Sequence, residues 1–78
     1  SGDTVEIAFA VEEDYQRLGL ASRLLRELAQ LARANGVERF EAYVLPENAS
    51  MLEVFRRSGF AMATKRDDGV VRVTLELS

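Results

Sequence analysis

Gln16, Gly19, Ala21 and Ser22, with Arg17 and Arg23 beside them, lie where a β-rich stretch gives way to a leucine-rich one. Small residues at Gly19 and Ala21 let a ligand come close to the backbone, and the first N–H groups of a helix have no partner inside it. Such a terminus attracts anions, because exposed amides and the helix dipole both favour phosphate. Arg17 and Arg23 add positive charge, and the Ser22 hydroxyl can donate a hydrogen bond. The same spacing also serves a plain strand-to-helix turn with an incidental glycine. A second chemically capable set is Glu6, Glu41 and Tyr43, spread over two β-rich stretches. The chain has no cysteine and no histidine, which excludes a disulfide scaffold, a thiolate nucleophile, imidazole ligation of a metal and a Ser-His-Asp triad. Acid–base chemistry therefore falls to carboxylates, tyrosine, Lys65 or water. A metal is not expected.

The elements that position these residues follow from hydrophobic period. Residues 4–11 (TVEIAFAV) alternate, with Val5, Ile7, Phe9 and Val11 on one face and Glu6, Ala8 and Ala10 on the other, which predicts a strand. The polar residues 12–16 break that pattern. Over residues 20–34 the period becomes helical: Leu20, Leu24, Leu25, Leu28, Leu31 and Ala32 form the expected core stripe, and Asn35-Gly36 supplies a left-handed stop. Residues 37–45 form a second strand, with Phe40, Ala42 and Val44 facing one way and Glu41, Tyr43 and Leu45 the other. Pro46 ends it. Asn48 is an N-cap for a helix to about Ser58, buried through Met51, Leu52, Val54 and Phe55 and stopped by Gly59. Residues 60–64 and 70–77 are two strands of a hairpin, with Asp68-Gly69 at its turn. The order β-α-β-α-β-β implies an α/β chain (an α+β mixed sheet) whose first two strands are parallel through a right-handed crossover.

At 78 residues, 1–78 is one domain or part of one. With 47% hydrophobic and 29% charged residues it has the balance of a globular protein rather than a disordered one. Ten bases, of which Lys65 is the sole lysine, face thirteen acids for a net charge of −3, so no nucleic-acid partner is expected. The apolar runs are too short to span a bilayer, and the start carries neither a basic nor an apolar signal region. No membrane association and a cytoplasmic location are the expectation.

V-E-E-D-Y-Q-R-L-G-L-A-S-x-L-L, then A-N-G-V, then V-L-P-E-N-A-S-M-L-x-V-F-R-R-S-G-F, resembles the C-terminal half of the GNAT superfamily of acyl-CoA-dependent N-acyltransferases. The family loop reads Q/R-x-x-G-x-G/A, and Gln16, Gly19 and Ala21 fit it. The likeness runs from about Val5 to the last strand and is nearest to acetyltransferase modules attached to acyl-CoA synthetase-like proteins of bacteria. It implies that Arg17, Leu18, Gly19, Leu20, Ala21 and Ser22 wrap the pyrophosphate of acetyl-CoA, the cosubstrate, with backbone amides. It implies that Phe9, Ala10 and Val11 offer a strand edge to the pantetheine arm. Asn48 matches a family asparagine that contacts the cofactor, a role compatible with its N-cap role.

The implied reaction is attack of an amine, on a small molecule or a protein lysine, on the acetyl thioester. Glu6 is the expected general base. Its apolar sequence neighbours are expected to desolvate it and raise its pKa; a solvent-face carboxylate is the competing reading. Glu41 and Tyr43 are reserves for the same task. Two departures stand out. Many relatives carry a tyrosine that protonates the leaving sulfur, and this chain has Phe55 there. The family also has strands and helices ahead of the strand that begins at Thr4 here, so the chain is either a part of the domain, its sheet completed by an N-terminal half, or one that pairs with a second copy. A CoA-binding regulatory module without catalysis and a structural or dimerisation fragment are the alternatives to an N-acetyltransferase.

Overall fold

Alternation and helical period set the elements, and one apolar layer joins them. The computed structural model describes residues 3–7 and 15–77, with the side chains of 3–7 and 19–77. The order is β1 (Thr4–Glu6), α1 (Tyr15–Ala34), β2 (Arg39–Val44), α2 (Ala49–Arg56), β3 (Ala61–Asp67) and β4 (Val70–Glu76). The sheet order is β1-β2-β4-β3. β1 runs parallel to β2, with Val5 beside Phe40 and Glu6 beside Glu41, as the crossover requires. β4 lies antiparallel between β2 and β3, so the last strand is central and the hairpin closes the sheet on that side.

Each turn has a local cause. Gly36, at φ 85°, ends α1 in a Schellman motif: the Val37 N–H donates to the Ala32 carbonyl at 3.0 Å and the Gly36 N–H to Arg33 at 3.1 Å. Asn48 caps α2, its Oδ1 accepting from the Met51 N–H at 3.2 Å. α2 ends at Arg56, two residues short of the expected Ser58. The buried Ser58 hydroxyl turns back to donate to the Phe55 carbonyl at 2.6 Å, which closes the last turn. Asp68 and Gly69 both have positive φ, the primed two-residue turn that matches strand twist.

Period-two burial divides the sheet into two faces. Phe40, Ala42 and Val44 on β2, with Val71, Val73 and Leu75 on β4, join Leu25 and Ala29 of α1 and Met51, Val54 and Phe55 of α2 in one core. Both helices therefore cover the same face, and a least extent of 17 Å leaves room for that helix layer and the sheet alone. Arg39, Glu41, Tyr43, Arg72, Thr74 and Glu76 alternate onto the other face, which is polar. Arg39 ties three strands together there. Its Nε donates to Glu76 at 2.9 Å, and a second guanidinium nitrogen reaches Asp3 at 3.4 Å and the Thr4 hydroxyl at 3.3 Å.

α1 departs from expectation twice. It begins at Tyr15, not Leu20, so Gly19 to Ser22 lie within the helix. Its buried residues are Ser22, Leu25 and Ala29, while Leu20, Leu24, Leu28 and Leu31 are exposed. Both sets recur at helical spacing, and the contact was won by the one with smaller side chains, which lets the helix sit close to its neighbours. Ser22 is 4% exposed and its Oγ makes no hydrogen bond among the described residues. A buried hydroxyl without a partner is destabilising, and alanine is the better helix former. Ser22→Ala should therefore raise stability by about 1 kcal/mol in urea unfolding. Loss of stability would mean that the hydroxyl has a partner in solution.

Candidate functional site

Parallel pairing fixes where the helix ends go. β1 and β2 point the same way, and each is followed by a helix that runs back along the sheet, so α1 and α2 both begin at the carboxyl end of this strand pair. That is where open α/β sheets place ligands. The Tyr15, Gln16 and Arg17 amides open α1 and lack intrahelical acceptors, and the Leu18 N–H is the first that the helix engages. Gly19, Leu20, Ala21 and Ser22 are one turn further in, with amides engaged by the helix. Of the expected wrap from Arg17 to Ser22, the Arg17 amide is open in this helix, beside those of Tyr15 and Gln16. Ser22, expected to reach a phosphate, is buried instead.

Gly19 is exposed, and a methyl group built on it would meet no atom within 4 Å. The space needed for close approach to the backbone is present. Asn48, at the start of α2, spends its Oδ1 on the cap, and its side-chain N–H groups make no hydrogen bond among the described residues. Phe9, Ala10 and Val11, the expected edge for the pantetheine arm, lie outside the described residues.

The second cluster is on the polar sheet face. Register places Glu6 and Glu41 side by side on neighbouring strands, about 4.8 Å apart in backbone spacing. Tyr43, two residues along β2, donates its phenol to Glu41 Oε1 at 3.0 Å. Arg72 is the cross-strand partner of Tyr43. The hydrogen bond to Glu41 and the carboxylate's charge hold the Tyr43 phenol above its ordinary value, while Arg72 pulls the other way. Glu41 and Tyr43 are therefore committed to each other, and no ion pair or hydrogen bond holds Glu6 among the described residues. Two adjacent carboxylates favour a cationic visitor.

The sequence brings Glu6, Glu41 and Tyr43 forward, and the fold unites them. The enclosure expected for Glu6 is not found. It is exposed, because its apolar neighbours Val5 and Ile7 alternate onto the helix-covered face. Arg72 was not anticipated, since only the strand register brings it to Tyr43. Phe55, at the position where the family resemblance implies a proton-donating tyrosine in many relatives, is 1% exposed and belongs to the core. Among the described residues no group of three or more acidic, histidine or cysteine side chains is set to hold a metal. No helix there is long and apolar enough to cross a membrane.

Comparison with known proteins agrees with this architecture. Acetyltransferase Pat of Mycolicibacterium smegmatis is 39% identical over 72 residues, which are 92% of this chain and 21% of Pat. The crystal structure of the GNAT domain of S. lividans PAT is similar at 42% identity and a TM-score of 0.78, covering 95% of this chain and 42% of that one. The chain thus spans less than half the length of these relatives. Residues 1–60 match the acetyltransferase (GNAT) family, and the chain belongs to that family.

Proposed function

We propose that this chain is the cofactor-binding part of an acetyl-CoA-dependent N-acetyltransferase acting on an amine, with a protein lysine as the favoured acceptor. The observation that carries the reading is the convergence of two helix N-termini at the end of the parallel β1–β2 pair, in a chain of the acetyltransferase family. The first-turn amides of α1 hold the pyrophosphate, with the backbone at Gly19 leaving room for it. The side-chain N–H groups of Asn48 give a second, weaker contact from α2.

In the reaction, an ammonium is drawn to the Glu6–Glu41 pair and gives up a proton to Glu6, directly or through water. The freed nitrogen lone pair attacks the thioester carbon, so that a C–N bond forms and the C–S bond breaks. The electron pair leaves on sulfur, and the second proton that the nitrogen loses as the amide forms passes to that thiolate or to water. A thiol of pKa about 8.5 is a tolerable leaving group near neutrality, so the loss of a tyrosine at Phe55 removes a convenience rather than a requirement. A backbone N–H aimed at the carbonyl oxygen is the stabilising group such a step needs most. A CoA-binding module without catalysis is the second reading, and the core burial of Phe55 together with the openness of Glu6 favours it.

Acetyl-CoA at a hundredfold excess over its Kd should stabilise the chain by about 2.7 kcal/mol in a thermal shift. With an amine acceptor it should also release free thiol, and Glu6→Gln should cut that rate by about a hundredfold or more. Binding without thiol release would select the second reading; full activity of Glu6→Gln would remove Glu6 from the mechanism. Gly19→Ala separates the ligand role from the helix role. As a helix residue, alanine should stabilise the free chain by about 1 kcal/mol, yet the methyl should weaken acetyl-CoA binding. An unchanged ligand shift in this variant would sink the close backbone approach.

Tyr43 offers a pH test. Its folded phenol titrates above the unfolded one, so the stability it lends is complete below a pH of about 10 and is lost as pH rises through the raised folded value. In a Tyr15→Phe background, ultraviolet titration should show a late phenolate transition that moves back toward the ordinary value in Glu41→Gln. An unmoved transition would show that the Tyr43–Glu41 bond does not persist in solution.

A further inference from the structure

Arg39 bonds to three strands on the sheet face that carries Glu6 and Glu41. We infer that it is a positioning residue for Glu6: its guanidinium fixes the register that seats this carboxylate beside Glu41, a role that rests on the reading of Glu6 as the base. Across the sheet, Thr4, Arg39 and Glu76 form one row, and Glu6, Glu41 and Thr74 form the next on the same face. The rows are two residues, or about 6.7 Å, apart. The first row takes no part in the proposed reaction, yet it is where side chains fasten β1 to the sheet.

The fastening runs in two directions from one side chain. Toward β4, Arg39 Nε donates to Glu76 Oε2 at 2.9 Å and a terminal nitrogen to Oε1 at 3.5 Å, a two-point grip on the central strand. Toward β1, the other terminal nitrogen donates to Asp3 Oδ2 at 3.4 Å and to the Thr4 hydroxyl at 3.3 Å. The same segments meet through the backbone, where the Asp3 carbonyl accepts from the Glu38 N–H at 2.8 Å and from the Arg39 N–H at 3.2 Å.

Register is what this row secures. Thr4, Val5 and Glu6 alone pair with β2, whereas β2 pairs with β4 all the way from Arg39 to Val44. A slip of one residue along β1 would turn Glu6 to the helix-covered face and bring Val5 or Ile7 opposite Glu41. It would also carry Asp3 and Thr4 away from a guanidinium that Glu76 holds in place. Pairing on the other edge of β1 would set that strand against a different neighbour. The seat of Glu6 beside Glu41 depends on the β1–β2 register.

Charge gives Arg39 a second task. The carboxyls of Asp3, Glu38 and Glu76 gather around it where β1 meets β2. The hydrogen bond to Asp3 and that residue's charge hold the Glu38 carboxyl above its ordinary value, and Arg39 pulls it back down. Without the guanidinium, like charges on the two sides of the β1–β2 seam would push the strands apart.

The test compares Arg39→Gln, Arg39→Lys and Glu76→Gln, the last of which loosens the guanidinium without touching β1. Hydrogen exchange reads the register. The Ile7 amide, which donates to the Glu41 carbonyl at 2.8 Å, should lose about fivefold in protection in Arg39→Gln, less in Glu76→Gln, while amides of the β2–β4 ladder keep theirs. Arg39→Lys should restore part of it, having the charge but not the fork. Thiol release with an amine acceptor should fall about tenfold or more in kcat in Arg39→Gln at an unchanged KM for acetyl-CoA. In a Glu6→Gln background the same substitution should cost nothing further. Full protection of the Ile7 amide in both Arg39→Gln and Glu76→Gln overturns the inference, as does a rate loss of equal size with and without Glu6. A wild-type chain that binds acetyl-CoA and releases no thiol overturns the reading of Glu6 as the base, and exchange at Ile7 still decides whether Arg39 sets its seat.

Discussion

Parallel pairing of β1 with β2 governs the rest of the molecule. Two parallel neighbours cannot be joined by a tight turn, so the chain must travel back along the sheet, and a helix is the shortest self-satisfied way to do it. α1, at 20 residues, is about 30 Å long. Its amide-bearing end is thereby placed at the carboxyl end of the strands, and α2 inherits the same placement by following β2. The convergence read as a cofactor site is a consequence of topology before it is a property of any side chain. Mutating one site residue leaves that consequence intact; changing the crossover would remove it.

Alternation then assigns the chemistry to one side of the sheet. Every second residue of β2 and β4 is buried beneath the helices, so Glu41, Tyr43 and Arg72 have no alternative to the polar face. This part was legible in the sequence. The two faces of residues 37–45, the N-cap at Asn48, the Schellman stop at Gly36 and the Asp68-Gly69 turn are all local matters of period or of positive φ, and each is encoded within a few residues. The pairing of Tyr43 with Arg72 was not legible, because it depends on which strand comes between β2 and β3. Nothing in the run of 28 residues between the two positions states that β4, rather than β3, takes the central place.

α1 shows where period-based reading stops. A helix has several flanks, and apolar spacing identifies apolar flanks without saying which one meets the sheet. Leucines at 20, 24, 28 and 31 present the larger surface, yet Ser22, Leu25 and Ala29 make the contact. Close packing of a helix between a sheet and a second helix favours small side chains, and that preference is tertiary. The helix start was misplaced for a related reason. Residues 15–19 are polar or mixed in character, but a first turn needs no buried face, and Gly19, just past it, is tolerated at a cost of about 1 kcal/mol.

The backbone groups of Thr4 and Glu6 that face away from β2 and the exposed Glu6 side chain are on the same strand. A carboxylate on a three-residue edge strand has water on its outer side as long as nothing pairs with that strand. Any strand added to β1 also encloses Glu6 from that side. The electrostatic environment of the proposed base is therefore set by what pairs with this edge and not by the apolar residues next to it in the sequence. Val5 and Ile7 flank Glu6 along the chain, but the pleat turns them to the opposite face. On a strand, the neighbours that matter to a side chain are two residues away or on the next strand.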